Sequence, residues 1–306
     1  MNVALEVASK RVSHLALGGW DKTVPASQLE FLDFDSLVVE DAAYRMLPSA
    51  KRLISKRFRV PSGYLERCPG DLQARNLNDW LAHLGDTPIF CRFRDEKIRA
   101  FFSPVYKPIN NTEIMARITA AYPPETSVEL RLSNEMMVLN IPDYQQAFDI
   151  KGENIAPGIN FSNSEVGVAA YSCGIFYQRL ARPNGLIATD AVAVRTRHIK
   201  NNALDGFRTT LEKALRLALH NHSDKINISL QRKVRNPKAG IVSFGKRFHL
   251  SNHAIRSVQR SWEEEPGHSL WHIIQAFARL AGGEYLAIEK AYRLQRIAGR
   301  ILANVT

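Results

Sequence analysis

Hydrophobic positions recur along this chain with two periods, and the switch between them comes about two-thirds of the way along. The first 35 residues carry no sustained period. From Ala50 to Phe58 the spacing predicts a short helix, with Ser49 as N-cap, Leu53, Ile54 and Phe58 in one apolar stripe and Pro61 just beyond. A clearer helix is predicted over Leu72–Leu84, where Leu77, Trp80, Leu81 and Leu84 share a face, Asp71 caps the start and Gly85 ends it. Two strand-like runs follow, Pro88–Arg94 and Ile98–Ser103, joined as a hairpin through Asp95, Glu96 and Lys97. A helix from Asn111 to Ala121 stops at Pro123 and Pro124, and Val128–Leu132 with Met136–Ile141 predicts a second hairpin.

Residues 159–199 read as the strand-rich centre. Val168–Leu180 is one extended stretch and Ala191–Arg197 another, with Pro183, Asn184 and Gly185 as the tight turn between them. After Asn202 the period becomes 3.6. Phe207, Leu211, Leu215 and Leu219 line one side of a helix over Ala203–His220, and helices continue to the end with Ser251 and Ser269 as caps. In them Trp271, Ile274 and Phe277 are expected to be buried over Ser269–Ala281, and Leu286, Ile288, Leu294, Ile297 and Ile301 over Glu284–Ala303. The fold class expected is α+β: a mixed region over 1–202 with antiparallel hairpins and a central sheet, and an all-helical region over 203–306 packed on the same core.

Charge alters this picture more than composition does. Of the 306 residues 45% are apolar and 23% charged, as in an ordinary globular protein. Residues 170–260 hold 17 Lys or Arg against 4 Asp or Glu, whereas residues 1–150 hold 18 against 19. The net +11 is therefore a local feature, and a concentrated basic surface attracts polyanions, nucleic acid above all. No run is long and apolar enough for a membrane span, and Val3-Ala4-Leu5 before Glu6 is too short for a signal peptide. Three separated cysteines, Cys68, Cys91 and Cys173, fit free thiols and a cytoplasmic location.

Two basic clusters are the candidate binding residues. Arg179, Arg182, Arg195 and Arg197 flank the central turn, with no acid between Glu165 and Asp190, so a phosphate-tracking hairpin is expected there. Arg232, Lys233, Arg235, Lys246 and Arg247 form the second cluster, and Phe248 stands beside it where a base could stack. Tyr171 and Tyr177 are further stacking candidates. The run Asn163, Ser164, Glu165 reads first as a turn whose side chains bond their own backbone, and second as a loop that presents them to a ligand. Asn184 and Gly185 are assigned to the turn. His220-Asn221-His222 and the pair His249, His253 lack a completing ligand set, so no metal, cofactor or catalytic residue is assigned. No glycine-rich phosphate loop, Gly-x-Ser-x-Gly elbow or Cys-x-x-Cys pair is present.

Several runs in order carry a resemblance. Arg59–Pro69, then Ala74–Leu81 and Arg99–Tyr106, resemble the N-terminal blocks of a phage- and plasmid-borne family of unknown function, the DUF 932 domain family. Ser162–Gly167 with Arg182–Leu186 is similar to its central block, and Leu270–Ala281 with Ala298–Leu302 to its last. The resemblance covers the chain from about residue 50 onward. Where that family often has a cysteine just before the Asn-Gly turn, this chain has Arg182 and Pro183. The resemblance implies a mobile-element setting and no activity. Fold-level analogy alone connects strands followed by a long helix with the ring-forming single-strand annealing proteins of phages. The function expected is non-enzymatic binding of nucleic acid, single-stranded DNA first, with annealing in recombination and a homo-oligomer as extensions. The alternatives are a protein that blocks a host defence or replication factor, and a metal-dependent nuclease using Glu165.

Overall fold

The computed structural model describes residues 2–180, 186–196, 198, 204–220, 223–283 and 285–305, and side-chain surroundings for all of these except 186–196 and 217–220. The chain opens with β1 (Asn2–Ala4), α1 (Leu5–Ala16), β2 (Gly19–Pro25), β3 (Leu29–Phe31), β4 (Ser36–Val39) and β5 (Ala42–Met46). Next come α2 (Pro48–Phe58), the single turn α3 (Ser62–Leu65) and α4 (Gly70–Ala82), then the hairpin β6 (Pro88–Arg94) and β7 (Lys97–Phe102). Helix α5 (Asn111–Thr119) leads to β8 (Ser127–Leu132), β9 (Met137–Pro142), β10 (Phe148–Ile150), β11 (Glu153–Asn163), β12 (Tyr171–Arg179) and β13 (Leu186–Thr196). Among the described residues six helices follow: α6 (Phe207–His220), α7 (Ser223–Gln231), α8 (Pro237–Arg247), α9 (Asn252–Glu263), α10 (Leu270–Gly282) and α11 (Ile288–Ala303). The architecture is α+β, with hairpins through the first two-thirds and helices in the last third.

Among the described residues the strands form two sheets. One has seven strands in the order β1-β8-β9-β11-β12-β13, with β10 also paired to β11; the other has the order β2-β6-β7-β5-β4-β3. Pairing is antiparallel except between β5 and β7. Each sheet has its own core. The smaller sheet packs Val24, Phe31, Leu37, Ile89 and Phe93 against Ile54, Phe58, Leu65, Leu77 and Leu81 of α2 to α4. The larger core joins α1, α5, the seven-stranded sheet and helices α6 to α11. Residues 19–102 are thus inserted between α1 and α5, which pack on each other through Leu5, Ala8, Val12, Ile114 and Ile118.

Period-two alternation sorts the faces of the larger sheet. Met137, Leu139, Ile141, Ile159, Phe161, Tyr171, Cys173, Ile175 and Tyr177 fall on one face through the register Phe161↔Leu139 and Phe161↔Cys173. Phe207 of α6 stacks on Phe161 there, ring centroids 5.7 Å apart. The opposite face is also buried and mixes Val138 and Phe176 with polar side chains. Asn160 donates to Asn140 at 2.6 Å, and Ser162 bonds both Ser172 (2.8 Å) and Tyr292 of α11 (2.9 Å).

Several local expectations need correction. Residues 1–35 hold a helix and three strands, since Leu5, Ala8 and Val12 already make a helical stripe. Ser49 lies within α2, not at its cap, and donates to the Arg99 carbonyl at 2.7 Å; Leu47 is the N-cap and Pro48 opens the helix. Helix α4 likewise starts before Asp71, with Pro69 at its N-cap. Leu215 is 38% exposed, because the buried stripe of α6 runs Phe207, Leu211, Ala214. Ser251 caps α9 through the Ala254 amide (3.2 Å), whereas the Ser269 hydroxyl bonds His272 Nδ1 and leaves α10 without a side-chain cap.

Candidate nucleic-acid interface

Helices α8 and α11 form the two walls of a basic groove. Asn236 caps α8 by accepting from the Ala239 amide at 3.0 Å, and Pro237 sets its first turn. At the other end His249 adopts φ +53°, and this left-handed residue lets the carbonyls of Phe248 and His249 accept from Arg293 Nη2 of α11, at 2.8 and 3.1 Å. The bond ties the walls together. Two cavities run along them, of about 690 Å³ and about 330 Å³, and both are lined by Arg247, Phe248 and Arg300. Arg293 and Arg296 line the larger and Arg232 the smaller, while Glu289 is the one acid among the described lining residues. Phe244, Phe248 and Tyr292 supply aromatic surface, and the Arg247 guanidinium lies 5.8 Å from the centre of the Phe248 ring.

The structure scatters the other candidates. Arg179 is only 14% exposed and is held by Glu153 and by Glu265 (2.7 Å), which also binds Arg279. Burial pulls its pKa down and these carboxylates more than restore it. The lack of acids near Arg179 in sequence is therefore no guide, because both partners arrive through the fold. Tyr171 and Tyr177 are 1% and 2% exposed in the sheet's apolar face, closed to stacking with a base, and burial raises both hydroxyl pKa values. Arg182, Asn184, Gly185 and Arg197 lie outside the described residues. Arg195 is in β13 with Ser172 as its register partner, and its side chain lies outside the description. Arg232, Lys233, Arg235, Lys246 and Arg247 are exposed and Phe248 half-buried; Arg232, Arg247 and Phe248 meet in the groove, and Lys233, Arg235 and Lys246 do not line it.

Asn163, Ser164 and Glu165 are buried, which corrects the reading of a loop offered to a ligand. Asn163 donates to the Ile109 carbonyl and to Asn111 Oδ1, both at 2.9 Å; Ser164 donates to the Glu135 carbonyl and accepts the Val168 amide. Glu165 joins the two sheets' units. Its Oε2 accepts from Arg99 (2.9 Å), its Oε1 from the Asn111 amide (2.7 Å), and its carbonyl from Arg92, itself paired with Asp21. Burial alone would raise the Glu165 carboxyl, but Arg99, the Asn111 amide and Arg92 together hold it below the ordinary 4.5. Beside it Tyr106 stacks on Phe102 and bonds His198 Nδ1 at 3.0 Å. Burial, aided by Arg92, lowers His198 to about 4. Both Glu165 oxygens accept hydrogen bonds within the protein, and no group of three or more His, Cys, Asp or Glu among the described residues is placed to hold a metal. His249 and His253 sit on either side of the Ser251 cap, not on one helix.

Arg293, Arg296 and Arg300 are groove residues that the composition window missed. The i, i+3, i+7 spacing puts them on one helical face, opposite the buried Leu294, Ala298 and Ile301 stripe. That spacing is legible in the sequence. Comparison with protein-family models, curated proteins and solved structures finds no match for this chain.

Proposed function

We propose that this protein binds nucleic acid, single strands in particular, along the groove between α8 and α11, in a cytoplasmic setting of the mobile-element kind. The observation that carries this reading is the pair of neighbouring cavities, sharing Arg247, Phe248 and Arg300, whose linings together hold five arginines, one carboxylate and three aromatic rings. Guanidinium groups match phosphate oxygens in forked geometry, and ring faces accept any base, so the combination suits a polyanion with exposed bases. The Arg293 clamp supports it, since walls fixed in advance reduce the ordering lost on binding.

Anisotropy titration of a labelled oligonucleotide at several salt concentrations tests the proposal. Each phosphate neutralised on a single strand contributes about −0.7 to the slope of log K against log salt. Arg232→Gln with Arg247→Gln should therefore flatten the slope by about 1.4, while Lys246→Gln leaves it unchanged. Absence of binding to single and double strands at about 50 mM salt, where phosphate contacts are strongest, overturns the reading.

A further inference from the structure

The smaller cavity differs from the larger one in its walls. Val234, Phe244, Leu270, Ile273 and Ile301 make it apolar within, while Arg232, Ser243 and Asn304 give it a polar edge. Gly240 lets α8 come close to α10 at this recess, because a β-carbon there would come within 2.9 Å of Ile273 Cδ1. Arg247, Arg300 and the half-buried Phe248 ring line this recess and the basic channel alike. A phosphate has no place among the aliphatic walls. A flat aromatic group with a hydrogen-bonding edge does, provided it hangs from a chain whose charges stay with the arginines outside.

We infer that the recess takes one unstacked nucleobase of a single strand whose phosphates follow the larger channel. The inference rests on the proposed groove and adds to it one enclosed place for a base. In a duplex both faces of each base are stacked and its edge is paired, so a fully paired strand has no base to insert.

Binding of a single-stranded 12-mer and of an abasic strand of the same length, measured at about 50 mM salt, tests this. The two carry the same phosphates, so the groove's arginines alone bind them equally. The recess predicts roughly ten- to hundredfold tighter binding of the strand with bases, the range that base–aromatic contact supplies. Ser243→Phe places a ring at the mouth from an exposed position and changes no charge; it should bring the intact strand to the affinity of the abasic one, with an unaltered melting temperature. Equal binding of the two strands by the wild type, with the salt slope present, overturns the recess and leaves only the groove's arginine–phosphate contacts standing. Failure of both strands to bind overturns both.

Discussion

Glu165→Gln isolates the charge that holds the two sheets' units together. The replacement has nearly the same shape and can still accept from the Asn111 amide. It sets an amide N–H₂ against Arg99, which is 5% exposed and keeps only the Asn134 carbonyl at 3.4 Å as a further acceptor. Removing one partner of a buried ion pair costs about 3–5 kcal/mol, because the remaining charge loses both water and counter-charge. At roughly 2 °C per kcal/mol for a chain of this size, the melting temperature should fall by roughly 6–10 °C at pH 7. The pH dependence gives an independent reading. The folded carboxyl titrates below its ordinary value, so its contribution is complete above pH 4.5 and disappears as pH falls through the folded pKa. The variant should lack that acid-side loss. Arg99→Met with Glu165→Leu, which leaves neither charge of the pair, should melt above the single variant. Calorimetry at pH 7 and pH 3 measures all three. A fall of under about 1 °C at pH 7 would show that Arg99 finds water or another partner, and the account of the junction would be wrong.

Three further outcomes follow from described contacts. His198 stays neutral when folded down to about pH 4, whereas in the unfolded chain it takes up a proton near 6.5, so stability should decline as pH drops between those values, by about 3 kcal/mol in all; His198→Phe should remove this decline in urea titrations across that range. Arg179→Ala should cost about 3 kcal/mol by stripping Glu153 and Glu265 of their shared cation, yet leave oligonucleotide affinity of the folded protein unchanged; a melting curve that does not move would return Arg179 to the surface. Asn236→Ala should remove the α8 cap and about 1 kcal/mol, with Asn236→Asp restoring most of it, as seen by thermal denaturation.

Elements with one apolar side were legible from spacing alone. The β6–β7 hairpin and helices α9 to α11 appear within a few residues of where periodicity puts them, because local pattern and tertiary burial agree. Helix α1 carried a readable stripe in Leu5, Ala8 and Val12, but strand β2 was illegible for the opposite reason. Strand β2 is an edge strand whose first five residues are exposed, so it has no alternation to show, and its pairing with β6 is a long-range fact. The candidate site divides the same way. Arg247 and Phe248 stood out by local density, and Arg293, Arg296 and Arg300 could have been found from helical spacing. The fates of Arg179 and Glu165 depend on Glu265 and Arg99, which lie 86 and 66 residues away in the chain. No count of nearby charges contains that information.

The insertion of residues 19–102 between α1 and α5 has a consequence for synthesis. Helix α1 leaves the ribosome well before its partners α5 and β8, which follow only about a hundred residues later, several seconds at ordinary elongation rates. Through that interval the apolar stripe of Leu5, Ala8 and Val12 has nothing from its own core to cover it, while the inserted sheet gains its last strand, β7, just before α5 is made. A helix made early is thus covered late, and the inserted unit is the first of the two cores to have all of its strands.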